Sequence, residues 1–229
     1  MTIRAVAWDI DGTLIDSEPL HHEALLAVCR SWQVDLSDVS EERFIGITMP
    51  AVWRLIADRM PPTLTESAWE AAILDYYAAR SVGLSSTPGA VEAIENLAEL
   101  GFEQACVSNS GRRIVDANIL ALGIKKHVAF SISVDDVQRG KPDPEPYATA
   151  CAKLALPPRQ VLAVEDSLTG LQSARSAGLV TVFFDPSRRT EAQADFIIPH
   201  LQLVPEIARR FTAGTLARLR ENYDQGVSN

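Results

Sequence analysis

Lysine is nearly missing from this 229-residue chain, occurring only at Lys125, Lys126, Lys141 and Lys153. With a net charge of −9 and no basic run, there is no stripe of cations to displace counterions from a phosphodiester backbone, which excludes nucleic acid as a partner. Cysteine is as sparse. Cys29, Cys106 and Cys151 are widely spaced, odd in number and set in apolar runs, which excludes a disulfide framework or a zinc site and leaves buried free thiols. Such usage fits a reduced, cytoplasmic compartment. No stretch approaches the ~18 consecutive apolar residues of a membrane span, so no membrane partner is expected. Asp9 arrives too early for the apolar core of a secretory leader, and none is expected. Repeats and low-complexity tracts are also lacking. What is present, 47% hydrophobic and 22% charged residues, suffices to bury a full core. The length predicts one domain with a smaller insert.

The most informative stretch is Asp9-Ile10-Asp11-Gly12-Thr13-Leu14, which follows the short apolar run 5–8. Two carboxylates two residues apart on extended chain project to the same side, so both can face one ligand. Gly12 and Thr13 add a permissive turn, backbone N–H groups and a hydroxyl, which suit an anion beside the carboxylates. A strand ending in an Asp-Gly turn with no chemistry attached is the competing interpretation.

From Asp16 to Ser86 the pattern is helical, with apolar spacings of three and four over Leu20 to Trp32, Ser40 to Met60 and Glu66 to Ser81. Pro61-Pro62 breaks it and Thr65 is a candidate N-cap. Trp32, Trp53 and Trp69 fall at helical spacing and are assigned to packing. From Thr87 onward strands and helices alternate. Helices are predicted over Ala90 to Leu100, Arg113 to Leu122, from Pro144 to Leu154, up to Ala177, and over Pro205 to Leu219. Strands are predicted over Phe102 to Val107, Val128 to Val134, Val161 to Val164, Val180 to Phe184 and Phe196 to Ile198. Residues Asp224 to Asn229 are expected to fray.

Strands joined by helices of this length imply right-handed crossovers and a Rossmann-like, doubly wound parallel sheet of the α/β class. Residues 1–15 and 87–229 would form it, with 16–86 as an inserted all-helical domain. Ligands of such sheets bind at the carboxyl ends of strands. Asp9/Asp11, Ser108/Asn109 and Glu165/Asp166 all fall at such ends, far apart in sequence. Singly, each has a plainer role: Ser108-Asn109 as turn and helix cap, Lys141 as a solvated loop lysine, Glu165-Asp166 as helix N-terminal acids.

Four stretches together carry a resemblance: 9–18, Asp-Ile-Asp-Gly-Thr-Leu-Ile-Asp-Ser-Glu; Val107-Ser108-Asn109-Ser110; Gly140-Lys141-Pro142-Asp143-Pro144; and Val164-Glu165-Asp166-Ser167-Leu168-Thr169-Gly170. In order and spacing they resemble the haloacid dehalogenase superfamily of phosphohydrolases, in the branch of phosphoglycolate phosphatases, sugar phosphatases and β-phosphoglucomutases. The resemblance implies a helical cap domain over 16–86 and Asp9 as the nucleophile that becomes a phosphoaspartate. Asp11 would protonate the leaving group and then take a proton from water. It further implies Mg²⁺ held by Asp9, the backbone carbonyl of Asp11 and Asp166, with Glu165 as a further ligand or an acceptor behind them. Ser108, Asn109 and Lys141 match phosphate-binding positions, and Gly12 and Thr13 complete that site.

The implied function is a Mg²⁺-dependent phosphatase of a small phosphomonoester, a sugar phosphate or related metabolite. The chain would work as a monomer or weak homo-oligomer. The alternative is a β-phosphoglucomutase-like hexose-phosphate mutase, but Met49 stands where that branch carries a cap arginine. No lysine occurs between Asp9 and Leu120, which argues against Schiff-base phosphonatases, and Asp11 argues against true dehalogenases. A non-catalytic binding protein would need a damaged motif set, and none is damaged. Glu18, His21, His22, Arg43, Thr48 and Arg54 are the polar candidates for specificity.

Overall fold

Three segments, AVAW, VLAVE and VTVFF, are apolar almost without interruption, which is the composition of strands covered on both faces. They form β1 (Ala5–Trp8), β4 (Val161–Glu165) and β5 (Val180–Phe184), buried at every position. The computed structural model describes residues 2–40, 43–44, 49–187 and 192–212. With β2 (Glu103–Val107), β3 (Phe130–Ile132) and β6 (Phe196–Ile198), these strands make a six-stranded sheet in the order β3-β2-β1-β4-β5-β6. Every pairing is parallel. The doubly wound expectation is therefore met, and the order reverses between β1 and β4, where a ligand crevice belongs.

Side-chain alternation sorts the two faces. Val6, Trp8, Leu162 and Val164 point to one core, closed by α4 (Ala90–Glu99), α5 (Arg112–Leu122) and α8 (Val204–Thr212). Ala5, Ala7, Val161 and Ala163 point to the other, closed by α6 (Glu145–Leu154) and α7 (Leu168–Ser176). All three cysteines are buried and free. No helix among the described residues is long and apolar enough to cross a membrane.

Between β1 and α4, helices α1 (Glu18–Ser31), α2 (Met49–Ile56) and α3 (Glu66–Arg80) surround a core of their own that includes Val28, Cys29, Ile56, Trp69 and Ile73. Trp53 meets Trp69 at 5.3 Å between ring centroids. The helical stretch leaves and rejoins the sheet at one place, where Ile15 bridges Ser86 and Thr87 N–H donates to the Leu14 carbonyl at 2.9 Å.

Two predicted elements are shorter than expected. The helix predicted over 40–60 is described from Met49, with Pro50 in the stretch that opens it, and it gives way after Ile56 to a 3₁₀ turn over Ala57–Arg59. β3 stops at Ile132 because Ser133 and Asp136 cap a 3₁₀ turn over Val134–Asp136. Thr48, part of 40–47 and the predicted helix beyond Thr212, with the terminal residues expected to fray, lie outside the described residues.

Candidate active site

The register of the sheet fixes the site. Trp8 pairs with Cys106 on one side and Val164 on the other, so Asp9, Val107 and Glu165 stand level at the carboxyl ends of three adjacent strands. Asp9 N–H donates to the Val164 carbonyl at 3.0 Å, which holds the residue in line just past β1.

Lys141 enters this level from the loop before α6. Its Nζ donates to Asp9 Oδ1 at 2.6 Å, Glu165 Oε1 at 2.6 Å and the Val107 carbonyl at 2.8 Å, which uses all three of its protons. The side chains are 3%, 9% and 1% exposed for Lys141, Asp9 and Glu165, so these charges meet with almost no solvent between them. Asn109 clamps the lysine backbone, accepting from Lys141 N–H at 2.7 Å and donating to its carbonyl at 3.0 Å. Tyr147, on α6, donates to Glu165 Oε1 at 2.6 Å, and Ser167 reaches Oε2 at 3.3 Å. Glu165 is thus committed to Lys141, Tyr147 and Ser167. Of its two anticipated roles, the acceptor behind the site accounts for these contacts.

Asp166 completes the cluster. Thr13 Oγ1 donates to its Oδ1 at 2.9 Å, and a Cβ on Gly12 would stand 2.3 Å from its Oδ2. Carboxylate oxygens of Asp9, Glu165 and Asp166 lie within 4.8 Å of one another. Burial, then the charge of Glu165, raise the Asp9 carboxyl to about 7 against the pull of Lys141. Burial, then Asp9, raise Asp166 to about 7. Burial also raises Glu165, and although burial disfavours a charged Lys141, the two acids hold its ammonium more firmly than usual. Three ionised carboxylates against one ammonium leave a formal deficit of about two charges, and every donor is oxygen. A hard divalent cation fits that deficit and donor set.

Asp11 is held apart from this group. Its Oδ1 accepts from Ser17 Oγ at 2.7 Å and Asn118 Nδ2 at 2.9 Å, and its Oδ2 from Ser108 Oγ at 3.0 Å and Ser110 Oγ at 2.9 Å. His21 Nε2 stands 3.9 Å from Oδ1, too far for a hydrogen bond and close enough for attraction when the imidazole is charged. Burial works to raise the Asp11 carboxyl, but His21, Ser17 and Ser110 outweigh it and hold it at about 2.

The anticipated residues therefore converge, though several hold one another. Ser108 serves Asp11 and accepts from Ser110 N–H at 2.9 Å, the Asn109 side chain serves Lys141, and Thr13 serves Asp166. Gly12 N–H donates to the Ile15 carbonyl at 2.9 Å. Among the specificity candidates, His21 stacks on Tyr77 at 4.5 Å while His22 leans toward Phe44 at 6.4 Å, so the two diverge. Glu18, Arg43 and Arg54 are exposed. A cleft of about 250 Å³ opens beside the cluster, lined in part by Gly12, Asp166, Phe184 and Ser187. Sequence reasoning missed Tyr147, Asn118, Tyr77, Ser17 and Ser110. Asn118 did leave a signal: it is an amide among Ile114, Val115, Ile119 and Leu122 on the buried face of α5.

Comparison with known proteins agrees with this geometry. The family model described as haloacid dehalogenase-like hydrolase matches residues 3–178. The chain is 31% identical over 199 residues to validoxylamine A 7'-phosphate phosphatase of Streptomyces hygroscopicus subsp. limoneus, covering 84% of this chain and 90% of that protein. It is 32% identical over 232 residues to protein CbbY of Rhodobacter capsulatus, covering 90% and 100%. Among solved structures, CbbY from Rhodobacter sphaeroides in complex with phosphate superposes with a TM-score of 0.78 at 26% identity, over 88% of this chain and 96% of that one. The chain belongs to the haloacid dehalogenase-like hydrolases and is a phosphoric monoester hydrolase.

Proposed function

We propose that the protein is a magnesium-dependent phosphatase of a small phosphorylated metabolite, a sugar phosphate or related phosphomonoester, working through a phosphoaspartate on Asp9. The observation that carries this reading is the group of Asp9, Glu165 and half-buried Asp166 around buried Lys141, short of positive charge and offering a cation only carboxylate oxygens. Asp9, the Asp11 carbonyl and Asp166 would hold the magnesium ion, which when bound supplies the positive charge that lets a carboxylate approach a phosphate.

Lys141 fixes Asp9 Oδ1, which leaves Oδ2 to attack phosphorus. Asp11 is ionised in the ligand-free site, and the negative charge of a bound phosphate would raise its carboxyl so that it takes up a proton; as the O–P bond forms and the bond to the leaving oxygen breaks, Asp11 delivers that proton to the leaving alkoxide. Water then attacks phosphorus, gives its proton to Asp11 and releases Asp9. Lys141 also neutralises charge gathering on the phosphoryl oxygens, and Glu165 with Tyr147 keeps the ammonium in place. Ser108 and the Asn109 N–H at the end of β2, with the turn at Gly12 and Thr13, would receive the phosphoryl group. Residues 16–86 would act as a cap that excludes water and selects the leaving group. The similarity to a phosphatase of phosphorylated carbohydrates and to a chain solved with phosphate supports this substrate class.

The test is a phosphomonoester panel with and without Mg²⁺. Phosphate release from at least one sugar phosphate is expected, falling to background with a chelator or in Asp9→Asn. Turnover that survives both treatments rejects the reading. A requirement for a bisphosphate activator would instead mark a mutase.

A further inference from the structure

The general acid of a phosphomonoesterase must turn the correct oxygen of its carboxyl group toward the leaving group. In this chain the choice is dictated from a distance. Asn118 and Tyr77 are both fully buried, on α5 and α3 respectively. Tyr77 Oη donates to Asn118 Oδ1 at 2.8 Å, and Asn118 Nδ2 donates to Asp11 Oδ1 at 2.9 Å. The two bonds set the same orientation of the amide. A turned amide would put its carbonyl against a carboxylate and take from the Tyr77 hydroxyl the oxygen to which it donates. Leu20 from α1 and Ile114 from α5 pack around Tyr77, and the His21 ring stacks on it, so the phenol is fixed from several sides.

The consequence falls on Asp11. Asn118 Nδ2 at 2.9 Å and Ser17 Oγ at 2.7 Å both bond Oδ1, which pins that oxygen and fixes the turn of the carboxyl group. The partners of Oδ2 are the hydroxyls of Ser108 and Ser110, which can rotate from donating to accepting. We propose that Asn118, locked by Tyr77, is a positioning residue that pins Oδ1 of Asp11 and so presents Oδ2, the oxygen on the Ser108 side where the phosphoryl group is received, as the working oxygen of the acid. This inference rests on the phosphatase reading above. It assigns a job to two residues that touch neither phosphate nor metal, and it links α3 of the helical segment to the acid.

The test separates leaving groups. 4-Nitrophenolate departs without a proton, whereas benzyl alkoxide requires one, and the two phosphate esters are similar in size. The value of kcat/KM reports only the steps through leaving-group departure. In Asn118→Leu, kcat/KM for benzyl phosphate should fall by about 10-fold or more while that for 4-nitrophenyl phosphate falls by less than about 3-fold, with the loss in kcat and little change in KM. Tyr77→Phe should show the same selectivity, smaller in size, and should add nothing in the Asn118→Leu background because it acts through the amide. Turnover of 4-nitrophenyl phosphate in the same sample reports that the site has folded. If Asn118→Leu does not fold, Tyr77→Phe, which removes one oxygen, carries the test. Equal losses on both esters, no loss, or additive effects of the two substitutions would overturn the proposal. A parent enzyme active on 4-nitrophenyl but not benzyl phosphate would overturn it too. A parent inactive on both with Mg²⁺ present defeats the phosphatase reading itself.

Discussion

At Gly12 one hydrogen atom in place of a methyl group decides whether the acidic cluster can close. Its φ is +84°, in the left-handed region, and an added Cβ would lie 2.3 Å from Asp166 Oδ2. Gly12→Ala would therefore meet backbone strain of roughly 1–2 kcal/mol and push Asp166 away from Asp9. We expect the Mg²⁺ concentration for half-maximal activity to rise by about 10-fold or more, in keeping with the sensitivity of metal sites to the groups that orient their ligands. A magnesium titration of phosphate release checks this, and an unchanged midpoint would mean that Asp166 is not a ligand. Gly170 plays the same part for Glu165, whose Oε2 would stand 2.0 Å from a Cβ there. At this scale the sequence was half informative. The types Asp, Gly, Thr and Lys could be read, because each suits one part of phosphoryl chemistry. Which donor meets which carboxylate could not: Thr13 to Asp166 and Lys141 to Asp9 join residues 153 and 132 positions apart.

Among the elements, legibility followed burial. Strands covered on both faces wrote themselves as unbroken apolar runs, and α3 was announced by Thr65, whose hydroxyl accepts from Ala68 N–H at 3.2 Å. α2 was misjudged at its end, where the chain tightens after Ile56 into a 3₁₀ turn over Ala57–Arg59 that apolar spacing does not separate from an α-helix. Tyr147 and Asn118 were lost for a related reason. Both sit on helix faces that bury apolar neighbours, so periodicity assigns them to the core, yet their polar ends cross it to Glu165 and Asp11. The cap of α3 is remote from the carboxylates, which gives a clean control. Thr65→Ala should lower unfolding stability by about 1 kcal/mol, read from denaturant melts, and leave kcat and KM for the best phosphomonoester unchanged. A drop in kcat at full folding would mean that the α3 N-terminus reaches the site.

For the whole molecule the decisive quantity is charge without lysine. A chain of net charge −9 places one of its four lysines among buried acids, and Asp9 and Asp166 remain raised to about 7 even so. Both groups have ordinary values near 3.8, so the metal-free fold binds protons that the unfolded chain has already released. Their contribution to stability is complete below about pH 4 and is lost as pH rises through 7. Asp11, held at about 2, acts in the opposite sense: its contribution is present above pH 4 and is lost only in strong acid. A divalent cation held by Asp9 and Asp166, as proposed, would take the place of the protons there, so its stabilising effect would grow with pH across the same window. At pH 8 and about 100-fold over its dissociation constant, Mg²⁺ should add about 2.7 kcal/mol. For a chain of this size that raises Tm by roughly 5–10 °C. At pH 5.5 the same concentration should raise it by less than about half as much, because binding must first expel protons. Thermal melts with chelator and with Mg²⁺ at the two pH values measure the difference. An equal shift at both would place the ion away from Asp9 and Asp166, whose raised carboxyls would couple its binding to proton release near pH 7.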